Sequence, residues 1–339
     1  MCIRDSYMPL VLAGVHLTFK RSMLLGLMVT FLGLALELHA GHLQITYYLI
    51  WIVLGYLIAE AVESSKENGL KTFMYKSSLL AGMALLALGT FLGSFLSTME
   101  YSKYSIRGAS ELAQEPDESK GGLTKDYAFN YSNGIWEPLV LMIPNAFGGS
   151  TVTPLGLDSN VGRFMLSQGV PAAQAEQQLQ SMPTYWGNQP ATSPYYAGAA
   201  VCFLFVLGLI TVRRSTVIWI TFIMIFGIVL SWGDSLSSVN YFLFDNLPGY
   251  NKFRSVTFSM VLPIFGISLL GFLGLEVLLT QGWNKNTQKK LFLALGVSGG
   301  LTMLIILGAG LINYSGNVDG RLPDWLIAPI LKDRKALLI

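Results

Sequence analysis

The chain has 339 residues, of which 52% are hydrophobic and only 12% charged, and its mean hydropathy is +0.51. A soluble domain carries roughly twice that charged fraction, so the composition calls for a bilayer as solvent. A net charge of +2 excludes the basic footprint of a nucleic-acid binder, and two cysteines, Cys2 and Cys202, exclude a disulfide framework.

Met1–Ser6 (MCIRDS) lacks the basic start and apolar middle of a signal peptide. It reads as a non-native scar of the kind found at the start of metagenomic reading frames, and the chain after it as an internal fragment of a longer protein. A spanning helix needs about 20 mostly apolar residues. Runs that meet or approach this are 7–19, 22–40, 44–63, 78–98, 195–212, 215–232, 257–280 and 291–312. The expectation is an all-α polytopic membrane protein of about eight transmembrane helices. Helices one to four fall within 7–98 and five to eight within 195–312. A large mixed loop, 99–194, separates the two sets.

Every second gap is basic. Lys20 and Arg21 follow the first span; Lys66, Lys71 and Lys76 follow the third; Arg213 and Arg214 the fifth; Lys285, Lys289 and Lys290 the seventh. This is the positive-inside pattern, which makes 41–43, 99–194, 233–256 and 313–339 external. The loop at 99–194 is too long for a simple turn. Within it, 168–182 (SQGVPAAQAEQQLQS) reads as a helix with Pro171 in its first turn. The apolar stretch 134–149 (GIWEPLVLMIPNAFGG) is too short and too broken by proline to span, and reads as re-entrant or interface-lying. Residues 313–339 read as an external, truncated amphipathic segment.

Polar residues that bear on chemistry gather in the external gaps. The tight turn ELHAGHLQITYY holds Glu37, His39, His42, Gln44, Tyr47 and Tyr48. Ionisable groups at a span end are costly unless they face a cavity, water or a partner, so this set suits a phosphate or sugar as well as it suits the headgroup layer. A metal held by His39 and His42 has little support from their spacing. Lys103 and Arg107 lie just beyond the fourth span, where Arg offers forked donors to phosphate, or both residues contact headgroups. Glu137 sits among apolar neighbours that raise its pKa unless it is paired. It is the weak candidate for a general base, or else a cap or ion-pair partner. Trp136 lies beside it, and Asn145 with Gly148 and Gly149 suits a close turn. Before the seventh span, DNLPGYNKFRSVTF supplies Asp245, Tyr250, Asn251, Lys252 and Arg254. His16 reads as a paired buried group, and Glu60 and Glu63 as interfacial. No nucleotide, triad or cofactor motif is present in the sequence.

The order of HLQITYY, YSKYSIRGASEL, YSNGIWEPLVLMIPNAFGG, LPGYNKFRSVTFSMVLP and LKDRKALL resembles the YfhO-like bacterial membrane proteins, in their Bacteroidetes-type form, from Tyr7 onward. That family resembles the GT-C superfamily of polytopic glycosyltransferases. The resemblance implies transfer of a sugar from a polyprenyl-phosphate donor to a cell-envelope glycan or lipid, on the external face of the bacterial cytoplasmic membrane. It implies membrane lipids as partners, no nucleic acid and no identified cofactor; a divalent metal has no support. The substrate-binding residues it implies are His39, His42, Gln44, Lys103, Arg107, Trp136, Glu137, Asn145, Lys252 and Arg254. The catalytic carboxylate usual in such enzymes would lie upstream of residue 7. Two other readings stand beside it: a lipid or oligosaccharide transporter or flippase, and a non-catalytic membrane scaffold.

Overall fold

The computed structural model describes residues 6–106, 108, 122–193 and 195–338. It is 72% helical, and the described residues contain no strand. An apolar segment in an apolar solvent must satisfy its own backbone N–H and C=O groups, and a helix does so within one segment. In order the helices are α1 (Met8–Lys20), α2 (Met23–His39), α3 (Leu43–Lys66), α4 (Leu70–Ser102), α5 (Lys125–Phe129), α6 (Asn160–Ser167), α7 (Ala172–Leu179), α8 (Ala199–Thr211), α9 (Arg214–Ser231), α10 (Ser237–Asn246), α11 (Val261–Gln281), α12 (Lys285–Gly308) and α13 (Asp324–Leu338). Among the described residues five are long and apolar enough to cross a membrane: α3, α4, α9, α12 and the run Val256–Gln281 that contains α11. They make the chain a helical, multi-pass membrane protein. The other three expected spans fall on the shorter apolar helices α1, α2 and α8.

The fourth helix begins at Leu70, well before the expected residue 78. Its early residues include Lys71 and Lys76, which favour helix, and the Lys76 ammonium donates to the Phe19 carbonyl at 2.9 Å. The helix expected at 168–182 is present in shorter form as α7, and Gly169 (φ +81°) separates it from α6, which ends at Ser167. Pro171 stands one residue before α7 rather than in its first turn. Within 134–149 only Glu137–Leu141 is regular, as a short 3-10 helix.

The chain divides into two compact units. The first comprises the described residues of Met1–Phe129, Arg213–Ser231 and Ser238–Gly266. Its tightest packing is between α1 and α2. A Cβ on Gly14 would lie 2.5 Å from the Thr30 nitrogen, and one on Gly26 only 2.3 Å from that of Thr18. The two threonine hydroxyls turn back onto their own helices, Thr18 to Gly14 O (3.0 Å) and Thr30 to Gly26 O (2.8 Å). Small residues thus bring two backbones together and leave no hydroxyl exposed to an apolar surround. Ionisable groups within these helices are paired, as burial requires. His16 Nδ1 meets Tyr56 Oη at 3.0 Å, Lys20 pairs with the buried Glu60 at 2.9 Å, and Glu63 bridges Lys20 and Arg213.

The second unit comprises the described residues of Asn130–Val212, Trp232–Ser237 and Ile267–Ile339. Val161 and Met165 of α6, Ala175 and Leu179 of α7, and Leu326 and Ile330 of α13 share one core. Asp333 caps α6, accepting from Asn160 N (2.8 Å), Asn160 Nδ2 (2.7 Å) and Val161 N (2.9 Å). A carboxylate at a helix N-terminus meets both unpaired N–H groups and the favourable end of the dipole. The neighbouring Arg334 is 0% exposed. It pairs with Asp319 at 2.8 Å and donates to the carbonyls of Thr184 (3.1 Å), Pro183 (3.1 Å) and Tyr314 (2.9 Å). The amphipathic segment expected at 313–339 is therefore part of this unit's core. A separate cluster joins α8 to α12 through Val206, Leu207 and Ala294.

Two outcomes follow from this packing. Gly26→Leu forces a side chain into the Thr18 backbone, and overpacking of this kind costs about 1–3 kcal/mol or more; thermal unfolding in detergent is expected to show a lower Tm than for Gly82→Leu, where a Cβ meets nothing. Arg334→Ala removes the cation that pairs with Asp319 and the donor to the carbonyls of Thr184, Pro183 and Tyr314, a loss of about 3–5 kcal/mol; the exposed neighbour substitution Lys332→Ala is expected to change Tm little in the same measurement.

Candidate functional site

In the first unit, α2 and α3 join through the turn Ala40–Gly41, and His42 caps α3 by accepting from Ile45 N (3.4 Å) at Nδ1. Its ring packs on Phe258 at 5.1 Å between centroids. His39, at the exposed end of α2, directs Nδ1 to the Ala35 carbonyl at 2.8 Å and sets its ring edge-on to Phe91. A carbonyl only accepts, so Nδ1 carries the proton. Among the described residues, no group of three or more His, Cys, Asp or Glu could hold a metal ion.

The cap sets Gln44 in the first turn of α3, where it is only 8% exposed. Its amide nitrogen donates to Arg254 O (3.0 Å), Ser255 O (3.4 Å) and Tyr48 Oη (3.3 Å). Gln44, expected to touch substrate, instead fixes backbone. That backbone needs fixing: Ser255 is left-handed (φ 57°, ψ 66°), a conformation unfavourable for a side chain with a Cβ. Ser255 N also donates to Ala128 O at 3.2 Å, and Leu123 N donates to Asn251 O at 2.9 Å, so residues 122–129 are tied to the same turn.

This tie brings up Tyr127, a residue with no distinguishing signal in the sequence. The Arg254 guanidinium donates to the Tyr127 hydroxyl at 2.7 Å, with its carbon 5.6 Å from the ring centroid. Arg254 nevertheless remains exposed, as does Lys252 two residues earlier. Nearby in the same unit, Lys125 pairs with Asp245 at 2.9 Å and lies over the Tyr241 ring. Lys103 is exposed and paired with Glu100 at 2.6 Å, an i,i+3 contact on its own helix. Arg107 lies outside the described residues. The turn thus presents a guanidinium that is held in place by a phenol yet open to a ligand, the arrangement that forked recognition of phosphate requires.

Trp136, Glu137 and Asn145 belong to the second unit. Trp136 is 71% exposed, whereas Glu137 is 3% exposed. One Glu137 oxygen accepts from the Tyr185 hydroxyl and the other from Gly134 N–H. Tyr185 in turn accepts from Gln189 N at 2.9 Å. The Gln189 side-chain amide and the Tyr195 hydroxyl both donate to Asn133 Oδ1, at 2.7 and 3.0 Å. Burial raises the Glu137 pKa above the ordinary carboxylate range, against the downward pull of Tyr185 and Gly134. A Cβ on Gly187 would fall 1.9 Å from its carboxylate, so the neighbouring backbone closes over it. Glu137 joins 133–137 to 185–189; with both oxygens committed and no opening to solvent, its geometry is that of a structural key. Asn145 occupies a left-handed turn (φ 56°) with its side-chain oxygen against Gly149.

No family model matches the chain, and neither a curated protein nor a solved structure was found that is similar to it.

The Glu137 network has a pH signature. A carboxyl with a raised folded-state pKa binds its proton more tightly folded than unfolded. Its contribution to stability is complete below the unfolded pKa, about 4.3, and is lost as pH rises through the higher folded value. Wild-type Tm is therefore expected to fall as pH rises through that window, and Glu137→Gln, which cannot titrate, to flatten this part of the profile in detergent unfolding measured from pH 4 to 8.

Proposed function

We propose that this protein is a multi-pass membrane glycosyltransferase-like protein that takes a sugar from a polyprenyl-phosphate donor and transfers it to a cell-envelope glycan or lipid. The observation that carries the reading is Arg254: an exposed guanidinium, steadied by Tyr127 and by the Gln44 grip on its own backbone, just before an apolar run long enough to span. A lipid-borne phosphate sits in the headgroup layer, where a span begins and ends. A guanidinium there meets it with paired N–H donors, and Lys252 adds a second positive charge.

The positive-inside pattern supports an eight-span arrangement, in which α1, α2 and α8 complete the crossings made by the five long helices, and it assigns Arg254 to the external face. On that face the donor is lipid-linked and needs no nucleotide site. His42 and its neighbour Phe258 flank the same turn, which gives the phosphate a half-buried, partly apolar surround. In this reading Lys103, already paired with Glu100, contributes little, and Glu137 acts through structure.

The test is equilibrium binding of undecaprenyl phosphate to the full chain in nanodiscs, with radiolabelled sugar transfer as the second readout. A hydrogen bond to a charged group contributes about 1.5–3 kcal/mol, so Arg254→Ala is expected to weaken binding roughly 10- to 100-fold, with Lys103→Ala near wild type. Equal affinity of Arg254→Ala and wild type would refute the reading.

A further inference from the structure

We propose that the short 3-10 helix Glu137–Leu141, with the two residues before it, lies in the lipid headgroup layer and that Trp136 and Leu139 are the side chains that enter the bilayer. The inference concerns the second unit and holds whichever ligand Arg254 binds.

Polarity is inverted along this segment. Ile135, Trp136 and Leu139 are exposed, whereas Glu137, Val140 and Leu141 are buried. A 3-10 helix has three residues per turn, so Trp136, its N-cap, and Leu139 stand on one face. In water the favoured arrangement is the opposite, with the carboxylate outside and the large apolar groups inside. Here the carboxylate points inward to the Tyr185 hydroxyl and Gly134 N–H, and the outward face is apolar. The surrounding sequence agrees. Glu137 is the only charged residue in 128–157, although about a quarter of the residues in a soluble domain are charged. An outward apolar face in such a stretch fits an apolar surround.

Hydrogen bonds fix where that surround lies. The Trp232 indole N–H donates to the Ile135 carbonyl at 3.0 Å, and Trp232 directly follows α9, a helix long and apolar enough to cross a membrane. Asp234 N–H donates to Ser132 Oγ at 2.9 Å, a second tie to the same place. At the other end of the segment the Leu141 carbonyl accepts from Ala197 N at 2.9 Å and from the Cys202 thiol at 3.7 Å, which joins it to the start of the apolar helix α8. The segment is therefore held level with the ends of apolar helices, at the depth of the headgroup layer. It is far too short to span, so it lies along the surface rather than through it. Indole favours that layer, with its ring toward the acyl chains and its N–H toward the headgroups. Lipid is already present at this depth, so the face is covered without a partner protein.

The experiment places the full chain in phosphatidylcholine nanodiscs whose lipid is brominated either near the headgroup end of its acyl chains or near their methyl end, and compares the tryptophan emission of wild type and Trp136→Phe. Because Trp136 is exposed, the variant is expected to keep the wild-type Tm. The emission that Trp136→Phe removes is expected to lie blue of tryptophan in water, to be quenched severalfold more by the shallow-brominated lipid than by the deep one, and to resist iodide in the buffer. Leu139→Trp added to Trp136→Phe should restore the shallow-quenched component, since the two positions share a face. Quenching by iodide with no effect of brominated lipid overturns the proposal and marks a water-facing loop. Protection from both quenchers also overturns it, because protein, such as a second copy of this chain, then covers the face. Stronger quenching by the deep lipid overturns it in favour of a re-entrant segment. All of these outcomes leave the phosphate reading of Arg254 to its own binding measurement.

Discussion

The side-chain amide of Gln44 holds the backbone on which the first unit's polar end depends. Ser255 adopts a left-handed conformation that costs a side-chain-bearing residue about 1–3 kcal/mol. It persists because the flanking carbonyls accept from Gln44 and its own N–H finds Ala128. A straight continuation of the helix that begins at Val261 would give residues 250–256 another course. The kink instead leaves Arg254 exposed, seats Tyr250 among the aromatic residues of α3, and brings Tyr127 within hydrogen-bonding distance of the guanidinium. The His42 cap belongs to the same device, because it fixes where α3 starts and therefore where Gln44 points.

The second unit follows the same physical rule with different residues. Its irregular segments carry many backbone groups that no helix satisfies, and buried side chains meet them. Arg334 collects three carbonyls and a carboxylate; Asp333 closes the start of α6; Glu137 joins two segments through Tyr185 and Gly134. Buried charges of this kind are stable only when hydrogen-bonded, and the irregular segments between this unit's helices supply the backbone groups that meet them.

The apolar helices were legible in the sequence because twenty or so apolar residues leave few alternatives. Their ends were less so: Lys71 and Lys76 read as loop, yet lysine extends a helix readily and Lys76 found a carbonyl on Phe19. Within 168–182 Ala and Gln mark the helix α7, whereas α6 before it, a short helix of mixed residues, carries no clear signal in the sequence. Among the candidate residues, Arg254 and Lys252 are exposed as a ligand-binding role requires, and Gln44 and Glu137 are buried and committed to the protein itself. Nothing local distinguishes Gln44 from a surface glutamine, since its partners are about two hundred residues away in the chain. For the same reason LKDRKALL looks like a solvated charged stretch, although Asp333 and Arg334 are among the most buried charges described.

In the proposed function, Arg254 meets the phosphate and a buried amide, Gln44, positions it through its backbone without touching the ligand. The most direct measurement is the affinity of undecaprenyl phosphate for Gln44→Met, with Arg254 intact and the fold verified by Tm. The account predicts a roughly tenfold loss, together with a weaker dependence on salt concentration, because the guanidinium no longer has a fixed backbone beneath it. Wild-type affinity and salt dependence in a folded Gln44→Met protein would contradict it.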